Sequence, residues 1–200
     1  MGMHDRRVIL HSHIVGVAPE VQGRSVGFAI KQHQRAWTLD RGITEMQWTF
    51  DPLVRRNAYF NVNKLGAMPT AYYSTFYGVM HDGVNAGDES DRMLVSWDLG
   101  SPRTIEASDG RVAAAETGDL MDRGAAVFLA ERDGGPVLTG DQAPVLLCAT
   151  PDDIVKLRET DLETALAWRK ALRVTLGTAL SEGYEVTGFT RDGHYVLERL

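Results

Sequence analysis

The sequence predicts an α/β fold organised on a mixed sheet. Apolar or alternating runs suited to strands, at residues 8–17, 45–50, 72–81, 92–99 and 145–149, are interleaved with stretches of helical periodicity. The strand–helix–strand–helix order over residues 8–65 implies a parallel pair at the centre of the sheet. Residues 92–99 alternate cleanly, with Met93, Val95, Trp97 and Leu99 on one side, as a half-buried antiparallel strand does.

The first run, Val-Ile-Leu-His-Ser-His-Ile-Val-Gly-Val at 8–17, reads as a buried strand. A tight glycine-containing loop follows and opens into an amphipathic helix. There Val26, Ile30, His33 and Trp37 share the apolar side, while Lys31, Gln32, Gln34, Arg35 and Thr38 face away. Gly42 ends this helix, and Asp51-Pro52 stops the strand at 45–50. A helix over 53–65 carries Val54, Ala58, Val62 and Leu65 on one face and is closed by Gly66. Residues 72–81, rich in aromatic and β-branched side chains, form the next strand, and 82–91 a polar loop.

From residue 100 to 144 the composition shifts to Gly, Asp, Ala and Arg, with one short apolar run at 125–131. This predicts a connecting region of weak strands or hairpins between a core at 1–99 and a C-terminal α/β unit at 145–200. In that unit, Thr150-Pro151-Asp152-Asp153 is a helix start with Thr150 as cap. Thr160-Asp161-Leu162-Glu163 opens a second helix to about residue 182. Strands at 184–190 and 194–200 then form a hairpin across Asp192-Gly193. No internal repeat is evident.

The net charge of −6 argues against nucleic-acid or anionic-membrane binding, which needs a basic stripe. No run of apolar residues is long enough for a membrane span. The single cysteine, Cys148, leaves no disulfide framework and fits a reducing cytoplasm.

The loop at Gln22-Gly23-Arg24-Ser25-Val26-Gly27 points free backbone N–H groups, and the positive end of a helix dipole, at one spot. That is the chemistry of a pyrophosphate site. Glycine lets a ligand approach the backbone closely. His11 and His13 share one strand face, and an imidazole suits general-base work. As a metal pair they lack a completing Cys or carboxylate set, so no metal is expected. Among Ser12, Ser25, Ser90 and Cys148 there is no nucleophile elbow or activated-thiol signature.

The segment Val15-x-Val17-x-Pro19-Glu20-x-Gln22-Gly23-Arg24-x-x-Gly27 resembles the acetyl-CoA-binding motif of the GNAT acyltransferases. Trp48-Thr49-Phe50-Asp51-Pro52-Leu53, Arg56-Asn57-Ala58-Tyr59-Phe60-Asn61 and Lys64-Leu65-Gly66-Ala67 resemble a branch of bacterial predicted acetyltransferases within that superfamily. The resemblance implies a mixed-sheet GNAT-like acyl-CoA N-acyltransferase fold, here with a C-terminal helix–helix–hairpin extension. It implies acetyl-CoA as co-substrate and a small-molecule or peptide amine as acceptor. The implied cofactor residues are Val15, Gly16, Val17, Gln22, Gly23, Arg24, Ser25, Val26, Gly27 and Asn57. Val15–Val17 would pair with the pantetheine amides as an added strand, and Arg55, Arg56 and Lys64 are candidates for the 3′-phosphate.

For catalysis the candidates are His13 or His11 as base and Tyr77, ahead of Tyr72 and Tyr73, as acid for the thiolate. An N–H near Val17 would hold the thioester oxyanion, and the acceptor would attack directly. Ser25 replaces the first motif glycine, and Val62 stands where many of these enzymes carry a tyrosine. The elements that open the fold elsewhere are not seen before residue 8. Two other readings therefore stand beside the enzyme: a non-catalytic acyl-CoA-binding module, and a fragment completed by a partner. The exposed sheet edge predicts a homodimer.

Overall fold

The computed structural model describes residues 8–13, 15–76, 88–140 and 142–199. The first sheet contains β1 (Leu10–His11), β2 (Glu45–Phe50), β3 (Met68–Tyr73) and β4 (Arg92–Asp98), in the order β1-β2-β4-β3. β1 runs parallel to β2, with Leu10 opposite Met46 and His11 opposite Gln47, while β4 is antiparallel to both its neighbours. The Ser12 N–H makes one more bond to the Gln47 carbonyl, at 2.8 Å. The strand expected over 8–17 is confined to this beginning: residues 15–18 belong to no strand.

Helix α1 (Val26–Leu39) joins the parallel pair; Val26 and Ile30 are half-buried, but from Lys31 onward its faces are the reverse of the expected ones. Lys31 and Thr38 are buried, whereas His33 and Trp37 are exposed. Polar contacts explain the inversion. Arg35 Nε donates to the Leu99 carbonyl at 2.8 Å, and Gln32 Nε2 donates to Ser108 Oγ at 3.0 Å. Thr38 Oγ1 donates to the Gln34 carbonyl at 2.7 Å. Trp37 remains outside beneath the Arg41 guanidinium, 3.8 Å from its ring centroid. A helix face whose polar groups are hydrogen-bonded can turn inward without leaving them unsatisfied.

Helix α2 (Arg55–Tyr59) continues into a single π turn, Phe60–Lys64. Ala58, Val62 and Leu65 are fully buried, as their spacing predicts. Gly66 then turns the chain with φ 70°, and a Cβ there would stand 2.9 Å from the Arg103 carbonyl oxygen. Glycine is needed on both counts. Met93, Val95 and Trp97 on β4, and Leu99 just after it, are all fully buried, and the Trp48 and Trp97 rings meet edge to face at 5.8 Å.

Residues 100–144 contain α3 (Pro102–Ser108), α4 (Thr117–Asp122), β5 (Ala126–Arg132) and β6 (Gly135–Leu138). The last two join β7 (Val145–Ala149), β8 (Tyr184–Phe189) and β9 (His194–Arg199) in a second sheet, ordered β6-β5-β7-β9-β8. Between β7 and β8 lie α5 (Ile154–Thr160) and α6 (Leu162–Ser181). α6 starts where expected, capped by Asp161, whereas α5 starts three residues later than a Thr150 cap implies and takes Asp153 as its cap. A carboxylate accepts helix N–H groups more strongly and favours the dipole's positive end.

The two sheets share a topology that the sequence does not display. In each, a strand is followed by helix and hairpin so that the last strand lies in the middle: β2-β4-β3 and β7-β9-β8. In each, an earlier strand lies parallel to the first, β1 beside β2 and β5 beside β7.

A buried ion cluster ties the halves together. Asp51, just after β2, and Asp88 face Arg158 of α5 and Arg169 of α6, all nine-tenths or more buried. Asp51 also accepts the Leu53 N–H at 3.0 Å, the turn role expected of it. Nearby, Asn63 Nδ2 donates to the Phe189 carbonyl at 2.6 Å, and Tyr195 donates to the Pro52 carbonyl at 2.8 Å.

Candidate functional site

The site forms where β1 and β2 stop pairing. Beyond Ser12, two cavities share Val15, Val17, Gly27, Arg56, Asn57 and Phe60 as walls. The outer one, about 760 Å³, is lined by the loop at 21–25, the first turn of α1, α2 with its π turn, and residues 107–110 at the end of α3. The inner one, about 370 Å³, reaches Ser12, His13, Lys31, Trp48 and Asn61. Both volumes suit small-molecule ligands.

The loop is shaped by a short 3₁₀ turn at Pro19–Val21 and by two left-handed residues, Gly23 (φ 77°) and Ser25 (φ 58°). The Gln22 N–H is already bonded to the Pro19 carbonyl at 3.2 Å, and its side-chain amide donates to the Val17 carbonyl at 3.1 Å. Gln22 thus braces the loop rather than offering its N–H. The Ser25 hydroxyl makes no capping bond, and the first N–H groups of a helix have no partner within it. Gly27 sits at the common wall, where an added Cβ would lie 3.8 Å from Val17 Cγ2. A larger side chain there would project into both cavities.

Positive charge dominates the rim. Arg56 and Lys64 line the outer cavity without a carboxylate partner among the described residues, while Asp109 is paired with Arg111 at 2.8 Å. Arg55 is turned elsewhere: it pairs with Asp152 and bonds Thr150, linking α2 to the second sheet.

Of the predicted cofactor residues, Val15, Val17, Gln22, Gly23, Ser25, Val26, Gly27 and Asn57 line the outer cavity; Gly16 and Arg24 line neither. His13 lines the inner cavity, and His11, with its ring centroid 6.4 Å away, does not. Tyr77 lies outside the described residues. Tyr72 and Tyr73 are not cavity residues: the Tyr72 hydroxyl donates to Asp91 Oδ2 at 2.6 Å, and burial together with that carboxylate raises its pKa. Val62 is fully buried.

The residue that sequence reasoning missed is Lys31. It is 5% exposed, its Nζ donates to Ser12 Oγ at 3.0 Å, and it lies 3.7 Å from the centroid of a Trp48 ring. Burial pushes its ammonium down to about 8. Trp48 is held in turn by its Nε1–H, which donates to Asn61 Oδ1 at 3.2 Å. The signal was the stripe Gly27, Lys31, Gln34 and Thr38, which also follows helical spacing.

Among the described residues, no cluster of three His, Cys, Asp or Glu could hold a metal ion, and no helix is long and apolar enough to cross a membrane. No protein-family model, curated protein or solved structure matches this chain.

Proposed function

We propose that this chain is a GNAT-type, acyl-CoA-dependent N-acyltransferase that moves the acyl group of acetyl-CoA, or a related thioester, to an amine. The reading rests on one observation: the parallel pair β1/β2 opens directly beside the N-terminus of α1, which no side chain caps, leaving a two-part cavity between them. The outer part offers helix N–H groups, Arg56 and Lys64 to the phosphates. The backbone at Val15 and Val17, which belongs to no strand, offers amide partners to the pantetheine arm.

The amine of the acceptor attacks the thioester carbonyl directly, and the proton-taking role falls to His13, the imidazole that lines the inner cavity. Positioning and oxyanion donors from the Val17 backbone supply the remainder. A second reading, a non-catalytic acyl-CoA-binding module, is favoured by Val62, which has no hydroxyl to protonate a thiolate. Calorimetry with coenzyme A tests both: absence of binding by the folded protein removes them together. Thioester consumption with a panel of small amines and peptides then separates enzyme from binder.

A further inference from the structure

The inner cavity holds a cation without a counter-charge. Lys31 is 95% buried by its 5% exposure, yet its partners are a hydroxyl and an indole ring, both neutral. No carboxylate pairs with it among the described residues. Burying an ammonium without an anion is costly, which is why such groups are paired or functional. The cation–π contact and the Ser12 bond offset part of that cost, and the lowered pKa is what remains of it. Arg56 adds a second cation to the same walls.

The shape of the hollow says which anion could reach Lys31. The inner cavity continues the outer one through Val15, Val17, Gly27 and Asn57, so a thioester lying along the outer part carries its acyl end inward. At about 370 Å³ the inner part far exceeds the needs of a two-carbon group. We infer that Lys31 binds a carboxylate at the far end of the acyl chain, so that the preferred donor is the CoA monothioester of a dicarboxylic acid. This rests on the acyl-CoA reading above and narrows it. An arriving carboxylate pairs with the ammonium and restores its full charge, while Ser12 and Trp48 keep it aimed.

The test compares succinyl-CoA with butyryl-CoA, which has the same four-carbon acyl length but no charge, by calorimetry on wild type and Lys31→Met. Coenzyme A itself is the control, because equal binding to both proteins shows an intact fold and an intact outer cavity. The expected result is at least a tenfold preference of wild type for succinyl-CoA, lost or reversed in K31M, with coenzyme A affinity unchanged. No preference in wild type, or a preference that survives in K31M, overturns the inference while leaving the acyl-CoA reading standing. A third arm titrates free succinate and free glutamate into protein saturated with acetyl-CoA. Lys31-dependent binding there, without a preference for succinyl-CoA, assigns the carboxylate to the acceptor and overturns the acyl assignment. Failure of coenzyme A itself to bind removes the parent reading instead.

Discussion

Arg169 spans 118 residues to grip Asp51 with both ends of its guanidinium, Nη1 to Oδ1 and Nη2 to Oδ2, each at 2.9 Å. The same side chain reaches Asp88 through Nε and Nη2, at 3.2 and 2.8 Å to Oδ1 and Oδ2. Arg158 closes the cluster with bonds to Asp51 at 2.6 Å and Asp88 at 2.9 Å. Two carboxylates and two guanidiniums thus neutralise one another inside the protein, at the junction of the element after β2 with α5 and α6. The site-bearing sheet is thereby anchored to the C-terminal helices.

Removing one member leaves an uncompensated buried charge. Arg169→Met is expected to cost about 3–5 kcal/mol of unfolding free energy, read as a lower denaturant midpoint with an unchanged slope. A loss under 1 kcal/mol would mean the cluster does not anchor α6.

The cluster also sets a limit in acid. Burial alone would raise the Asp51 carboxyl, but Arg169 and Arg158 outweigh it and hold the group at about 2, below its ordinary 3.8. A depressed folded-state pKa contributes stability that is complete above the unfolded value and lost as pH falls through the folded one. Stability should therefore fall between about pH 4 and pH 2, and Asp51→Asn should flatten that part of the curve. Chemical denaturation across this window checks it.

Ser25 holds a left-handed conformation, φ 58°, without a capping bond. Relief of that strain is worth about 1–2 kcal/mol, and glycine's extra unfolded-state freedom takes back about 0.5–1. Ser25→Gly should stabilise the protein by about 0–1.5 kcal/mol and leave coenzyme A affinity intact. A destabilised S25G would show that the hydroxyl has a partner in solution.

The inverted faces of α1 can be tested with charge. His33→Glu, on the exposed side, should change stability by less than about 0.5 kcal/mol. Thr38→Glu, at a position with no exposed surface, should cost several kcal/mol unless its carboxyl is protonated. Thermal melts of the pair distinguish this arrangement from the apolar-stripe pattern, which predicts the opposite order.

Cys148 lies in β7 with no exposed surface, and burial pushes its thiol up to about 12. It should resist thiol reagents in the native state and react at the rate of global unfolding. Rapid labelling at neutral pH would place β7 at an opening edge.

Local chemistry was legible wherever one periodicity had one interpretation. β2, β4, β7 and the β8–β9 hairpin follow from alternation, β-branched content and the Asp192-Gly193 turn, and Gly66 ends its helix as its position implies. The loop and the helix it opens were legible for the same reason. α1 shows where this fails: two stripes on one helix both follow helical spacing, and hydropathy selects the wrong one. Lys31 and Thr38 are buried because Ser12, Trp48, Gln34 and Met46 satisfy them, and those partners come from other turns and strands.

The amino-acid order by itself determined β2, β4, β7, the β8–β9 hairpin and the placement of a glycine-containing loop before a helix, because these depend on neighbours within a few residues; the strand expected over 72–81 instead runs Met68–Tyr73. The tertiary structure decided which helix face lies inward, that two sheets repeat one topology, and that Asp51 and Arg169 meet. It also decided that a lysine ends in a cavity without an acid beside it. Each of those depends on groups brought together from distant parts of the chain, where burial and pairing compete and no local pattern records the winner.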